Sequence, residues 1–209
     1  MMQALLLGAT GLVGREILRL LAAEAACERV IVLSRRALPQ PLPAKVASHV
    51  VDFDDLGRSA ALFAADAAFC ALGTTIKHAG TRERFRAVDF GYPLAAARLA
   101  RERGARHFLL VSALSASARS RVFYSRVKGE LEDAVLALGY PAVTIVRPSL
   151  LVGAREEFRL FERVMAPLGF ILPRRYRPVR ASAVAAALVQ AAVHDAPGVR
   201  VIESSGIDQ

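Results

Sequence analysis

Tyr124 and Lys128 stand four residues apart in VFYSRVKGELE, a segment whose flanking pattern predicts a helix over Ser120 to Leu138. At that spacing the two side chains share one helix face. A tyrosine ordinarily titrates near about 10, and drawing its proton into chemistry at neutral pH takes about 4 kcal/mol of preferential phenolate stabilisation. A lysine ammonium one turn away can supply part of it. The same pair also arises as two amphipathic side chains on a solvated helix face, so the surroundings must decide.

The glycines come first. ALLLGATGLVGREIL, Ala4 to Leu18, reads as a strand, then Gly8, Gly11 and Gly14, then a helix. A tight turn between a first strand and a first helix points backbone N–H groups of Gly8, Thr10, Gly11, Leu12 and Val13 at a pyrophosphate, and the helix N-terminus adds its partial positive charge. The alternative is that small residues merely pack helix against sheet. A dinucleotide site then needs an adenosine end. About 20 residues beyond the glycines, an NAD site wants a carboxylate for the ribose hydroxyls. Here VIVLSRRAL places Ser34, Arg35 and Arg36 there, with no acid. Guanidinium groups grip a 2′-phosphate that a carboxylate would repel, so NADP(H) is favoured over NAD(H).

Two further segments fit the same ligand. HVVDFDD, His49 to Asp55, ends a third strand with Asp52 and Phe53, where Asp52 could accept from an adenine amine; a helix N-cap at Asp54 or Asp55 is the competing use. FCALGTTIKHAG ends a fourth strand with Leu72, Gly73, Thr74 and Thr75, small or hydroxylic residues that let backbone approach the cofactor. A plain Gly-Thr turn would read the same.

The elements that must position these residues are legible as alternation. Strands are expected at Ala4 to Leu7, Arg29 to Leu33, Ser48 to Val51, Ala67 to Ala71, His107 to Val111, Val143 to Val146 and Val199 to Ile202. Helices are expected at Gly11 to Glu24, Arg82 to Arg103, Ser120 to Leu138 and Ala181 to Val193. Near-continuous apolar strands separated by helices imply a parallel sheet covered on both faces, a doubly wound Rossmann-type α/β fold. LPQPLPAK, Leu38 to Lys45, is expected to be a surface loop. Within Ala154 to Leu168, Phe158, Phe161, Val164, Met165 and Leu168 recur at helical spacing, which predicts a small helical cap over residues 154–180.

Composition bounds the rest. A chain of 209 residues fits a single domain, residues 1–209. Mean hydropathy is +0.35, yet no apolar run reaches the ~18 residues of a spanning helix. Nor does the N-terminus resemble a signal peptide, and a cytoplasmic protein is expected. Cys27 and Cys70 lack metal-ligand spacing. The net charge of +9 is scattered through the arginines, which favours an anionic small ligand and ranks nucleic acid last.

Taken in order, LLLGATGLVGREIL, LSRR, VDFDDL, CALGTTIKHAG, FRAVDFGYPLAAARLARERGARHFLLVSALSA, YSRVKGELE and IVRPSLLVGAR resemble the short-chain dehydrogenase/reductase superfamily. The similarity is greatest to the atypical branch that contains the Tat-interacting-protein group and its bacterial NAD(P)-binding relatives. That resemblance implies that Tyr124 donates a proton to a carbonyl oxygen during hydride transfer, while Lys128 tunes it and holds the nicotinamide ribose. It implies a substrate-orienting serine, for which Ser112 is preferred and Ser115 is the alternative because Ala113 occupies the usual place. It puts Asp89 where an asparagine is common, and Pro148 beside the nicotinamide carboxamide. The expected function is NADP(H)-dependent reduction of a small carbonyl substrate. A redox-sensing regulator that binds NADPH without turnover is the alternative, with a homodimer or a protein partner left open.

Overall fold

The computed structural model describes residues 1–152 and 174–207. The expected cap residues Phe158, Phe161, Val164, Met165 and Leu168 lie outside the described residues. Seven parallel strands form the sheet: β1 (Met2–Leu7), β2 (Cys27–Ser34), β3 (Val46–Val50), β4 (Ala67–Cys70), β5 (His107–Val111), β6 (Ala142–Arg147) and β9 (Gly198–Glu203). Their order is β3-β2-β1-β4-β5-β6-β9. Every strand expected from the sequence is present. A two-residue parallel pair, β7 (Leu151–Val152) with β8 (Val179–Arg180), was not expected.

Strand β1 shows why the sheet is covered on both faces. Side chains alternate across a strand. Accordingly Ala4 and Leu6 enter one core and Leu5 and Leu7 the other, all four fully buried. The first core is closed by α1 (Leu12–Ala23), through Val13, Ile17 and Leu21 at helical spacing, and by α6 (Ala181–His194). The second is closed by α4 (Tyr92–Glu102) and α5 (Phe123–Leu136), through Ala96, Ala97, Ala100, Leu131 and Val135. No described helix is long and apolar enough to cross a membrane.

The expected helix Arg82 to Arg103 departs from the reading. It is broken into α3 (Arg82–Arg86), a π turn over Ala87–Gly91, and α4, with Pro93 in the first turn of α4. A π turn inserts an extra residue into the helical ladder and is often found at functional sites. Here it carries Asp89, fully buried. Between β4 and α3 lies one further turn of helix, α2 (Ile76–Ala79).

Two contacts hold the parts that matter for the site. Gly129 of α5 lies against the backbone of Ser117 and Ala118, where an added Cβ would overlap main-chain atoms. Ser117 N also donates to Ser125 O at 3.0 Å. The loop after β5 is thereby seated on α5. At the opposite end of the sheet, His107 is buried, with Nε2 2.9 Å from Thr144 Oγ1 and Nδ1 3.4 Å from Asp195 Oδ1.

Gly129→Ala should cost about 1–3 kcal/mol, because the backbone it meets cannot move aside as a side chain would; denaturant titration measures it, and an unchanged midpoint contradicts the packing described. Burial lowers the pKa of His107 from its ordinary 6.5, with Asp195 opposing. A group that takes up its proton more readily when unfolded subtracts stability as pH falls. Stability should therefore be flat above 6.5 on account of this group and decline below it. Urea unfolding of wild type and His107→Gln across that range checks it, the variant losing less on acidification.

Candidate functional site

In this strand order the chain leaves β1 toward β2 and returns on the other side at β4, so the carboxyl ends of β1 and β4 flank a topological switch point. Ligands of open α/β sheets bind there. The glycines shape it. Gly8 has φ +86°, and a Cβ on it would lie 2.5 Å from Ala71 O at the end of β4. Gly14 meets the Gly8 carbonyl so closely that a Cβ would overlap it. Gly11 N donates to Gly8 O at 3.0 Å, which folds the turn, and Gly11 becomes the N-cap of α1 with no side-chain cap. There is no acid in the first turn of α1. Its leading N–H groups, those of Leu12 and Val13 among them, are left to a ligand or solvent. The Val13 side chain is buried in the core and that of Leu12 is exposed.

A cleft of ≈ 430 Å³ opens from this turn. It brings together the expected Gly8, Thr10 and Gly11 with Ser34, Arg35 and Arg36, and on the far wall Phe53, Leu72 and Gly73. Ser34 Oγ donates to Arg36 O at 2.6 Å and so shapes the loop that presents the two arginines. Arg15, Val88 and Tyr92 also line the cleft, and among the described residues no acidic one does. These three were missed in the sequence. Arg15 could have been found from its place directly after Gly14, on the exposed first turn of α1. Val88 lies in the π turn and Tyr92 directly after it, where the sequence reads as ordinary helix.

Other expected contacts are engaged differently. Asp52 lies outside the cleft: its Oδ1 accepts from Asp54 N at 2.9 Å, a local turn that uses the carboxylate. Neither Asp54 nor Asp55 caps a helix by its side chain. Asp54 instead accepts from the Tyr92 hydroxyl, which in turn receives Arg84 Nη1 at 2.9 Å. Thr75 Oγ1 caps α2, accepting from His78 N at 3.1 Å, so that hydroxyl is not free as expected. Pro148 is buried, and its carbonyl accepts from Leu114 N at 2.8 Å.

Along α5, Tyr124, Lys128 and Glu132 stand at i, i+4 and i+8. Tyr124 is half-buried, its ring 5.6 Å from that of Phe85. Lys128 Nζ sits 2.7 Å from Asp89 Oδ1, the two side chains only 5% and 1% exposed. Asp89 Oδ2 accepts from Thr74 N at 2.8 Å, which ties the loop after β4 to the same pair. Burial by itself pulls the pKa of Lys128 down; the charge of Asp89, and after it the phenolate form of Tyr124, outweigh this, and the net direction is up. Lys128 is thus a buried, charged ammonium. Cys70, beneath it, is fully buried and its thiol is pushed up to about 11 by burial.

Glu132 is equally committed. It accepts from Ser112 Oγ and takes a bidentate grip from Arg147, with Nε 3.1 Å from Oε1 and Nη2 2.5 Å from Oε2. Arg147 Nη1 reaches Glu203 at 2.8 Å. Ser112, expected to orient a substrate, is buried, and its hydroxyl donates to Glu132. Ser115, the alternative, is exposed with φ +63°.

A family model described as the NAD-binding domain of semialdehyde dehydrogenase matches residues 3–87. Protein FMP52-1, mitochondrial, of Scheffersomyces stipitis is 38% identical over 160 residues, spanning 74% of this chain and 70% of that protein. Protein fmp52, mitochondrial, of Aspergillus niger is 36% identical over 167 residues, spanning 77% and 71%. Among solved structures, the Bordetella bronchiseptica enzyme WbmH in complex with NAD+ superposes with a TM-score of 0.72 at 15% identity, covering 98% of this chain and 76% of that one. MoeE5 in complex with UDP-glucose and NAD gives 0.73 at 16%, covering 95% and 74%. The expected cytoplasmic location is overturned by the relatives, which are named as mitochondrial proteins; that expectation leaned on the lack of a spanning apolar run and of a signal-peptide pattern, neither of which speaks to a mitochondrial address. Identity above 30% across more than two thirds of these relatives' length makes the chain a member of the FMP52 family, on a Rossmann-type NAD-binding fold.

Proposed function

We propose that the protein is an NADP(H)-dependent oxidoreductase that reduces a small carbonyl compound. The observation that carries this reading is the charge of the cleft: Arg15, Arg35 and Arg36 line it together with the glycine turn, and no carboxylate among the described residues does. A ligand with a diphosphate and a further phosphate fits that wall, whereas the ribose hydroxyls of NAD(H) find no acid to accept them. The close approach of Gly8 to Ala71, where any side chain would clash, leaves the room a diphosphate needs at the turn. The ordered motifs also support the finer placement near the Tat-interacting-protein group of atypical short-chain dehydrogenases/reductases.

In this reading Gly8 to Val13 hold the diphosphate by backbone N–H groups, Arg15, Arg35 and Arg36 the 2′-phosphate, and Phe53 and Tyr92 flank the adenine. Bound NADPH supplies the hydride that reduces the carbonyl carbon. Tyr124 delivers the proton to the carbonyl oxygen, and the ammonium of Lys128 stabilises the phenolate left behind. Asp89 neutralises part of that ammonium's field, at 2.7 Å. That same pairing, with Ser112 engaged by Glu132, favours a second reading, in which the chain binds NADPH as a redox-sensing regulator and turns over little or nothing.

NADPH should raise the melting temperature at concentrations where NADH does not, since binding to the folded form alone stabilises it. Arg35→Ala, Arg36→Ala or Arg15→Ala should each weaken NADPH about tenfold or more and leave NADH unchanged; equal response to both nucleotides would sink the assignment. Tyr124→Phe should lower carbonyl-dependent NADPH oxidation by about 100-fold or more with the cofactor Kd unchanged. If wild type binds NADPH tightly yet oxidises none of it across aldehydes and ketones, the regulator reading takes its place.

A further inference from the structure

The dinucleotide reading accounts for three arginines of a strongly basic chain and leaves a second concentration of charge without a use. Residues 74–86 and 117–126, which flank Tyr124, hold seven Lys or Arg side chains against one acid, Glu83. Three are paired: Arg86 with Glu130, Arg126 with the same Glu130 at 4.0 Å, and Arg84 with Asp54 at 3.8 Å and the Tyr92 hydroxyl. Among the described residues Lys77, Arg82, Arg119 and Arg121 have no carboxylate within ion-pair distance. Glu83 points to solvent, its carboxyl held low first by hydrogen bonds to its own backbone and to Thr81 and only last by Arg82.

Two of these cations converge on one ring beside the phenol. The Arg82 and Arg126 guanidinium carbons lie 5.2 and 5.8 Å from the centre of Phe123. Phe123 packs on the buried Phe85 at 5.6 Å, and Phe85 meets Tyr124 at the same distance. A guanidinium stacked on an aromatic face keeps its in-plane N–H donors available to a carboxylate or phosphate. Arg126 gives one donor to Ser120 O at 3.0 Å and is 4.0 Å from Glu130, which Arg86 already engages; Arg82 has neither. Like charges gathered on one ring repel, and an anion bound there turns the repulsion into attraction.

We propose that the substrate is a carbonyl compound bearing its own anionic group, a carboxylate or a phosphate monoester, which Arg82 and Arg126 hold while the carbonyl lies at Tyr124. The inference rests on the reductase reading for the reaction, and on the basic cluster alone for the anion. In the reaction the carbonyl carbon gains hydride from NADPH and the oxygen gains the Tyr124 proton; the anionic group is unchanged.

The test compares matched pairs with the full chain and NADPH: butanal against succinic semialdehyde, and glyceraldehyde against glyceraldehyde phosphate. The anionic member should have the higher kcat/KM by about tenfold or more, falling with added salt. Arg82→Gln and Arg126→Gln should erase the difference by raising KM for the anionic member only. Equal use of both members, or variants that affect both alike, overturns the proposal while leaving the reductase reading intact. Should no carbonyl be turned over, calorimetry of succinate and of inorganic phosphate with the NADP+-saturated protein decides. Binding that is lost in Arg82→Gln keeps the anion site and removes the reductase reading, and no binding removes the site. Arg82-dependent binding of a polyglutamate peptide without binding of either small anion also overturns it, in favour of an acidic protein partner.

Discussion

The buried ion pair between Lys128 and Asp89 is the constraint on which the rest of the site depends. Two opposite charges shielded from water hold each other far more tightly than a surface pair, and removing either one strands the other at a cost of several kcal/mol. The pair joins three segments that the chain order keeps apart: α5 through Lys128, the π turn through Asp89, and the loop after β4 through Thr74 N. Tyr124, one turn before Lys128 on the same helix, is held in register with that pair. The π turn follows from the same requirement, since it turns the Asp89 carboxylate inward while Val88 and Tyr92 face the cleft.

At the other side of the switch point the constraint is steric. Gly8, Ala71 and Gly14 bring a strand end, a neighbouring strand end and a helix start within backbone contact, and nothing larger than hydrogen fits on Gly8 or Gly14. This closeness leaves the α1 N-terminus bare at the floor of the cleft, while Arg15, Arg35 and Arg36 supply charge at its wall. The fold places these features, and the side chains around them decide which nucleotide they would suit; solved structures with the same architecture and about 15% identity speak for the architecture only.

The third turn of α5 does different work. Glu132, Ser112, Arg147 and Glu203 form a network that ties α5 to the ends of β5, β6 and β9. A buried carboxylate needs all of these partners, and it takes the serine hydroxyl as one of them. The Tyr, Lys and Glu at four-residue spacing thus serve three purposes: an exposed-side phenol, a buried ammonium, and an anchor.

The sequence by itself determined the sheet, its strands and most of the glycine turn, because period-2 and period-3.6 apolar patterns and a Gly-rich bend are local properties that survive without neighbours. It also determined the cation pair Arg35 and Arg36, since no acid stands near them in the chain. Only the tertiary structure decided that Val88 and Tyr92 line the cleft with them, and that Ser112 faces Glu132. The Ser112 outcome depends on a partner 20 residues away in the chain, and a polar side chain goes to whatever partner burial leaves it, whereas the Asp52 carboxylate and the Thr75 hydroxyl are taken by amides two and three residues on. The π turn was illegible for the same reason: its residues read as ordinary helix, and it is the pairing of Asp89 with a lysine on another helix that accompanies the extra residue in the turn.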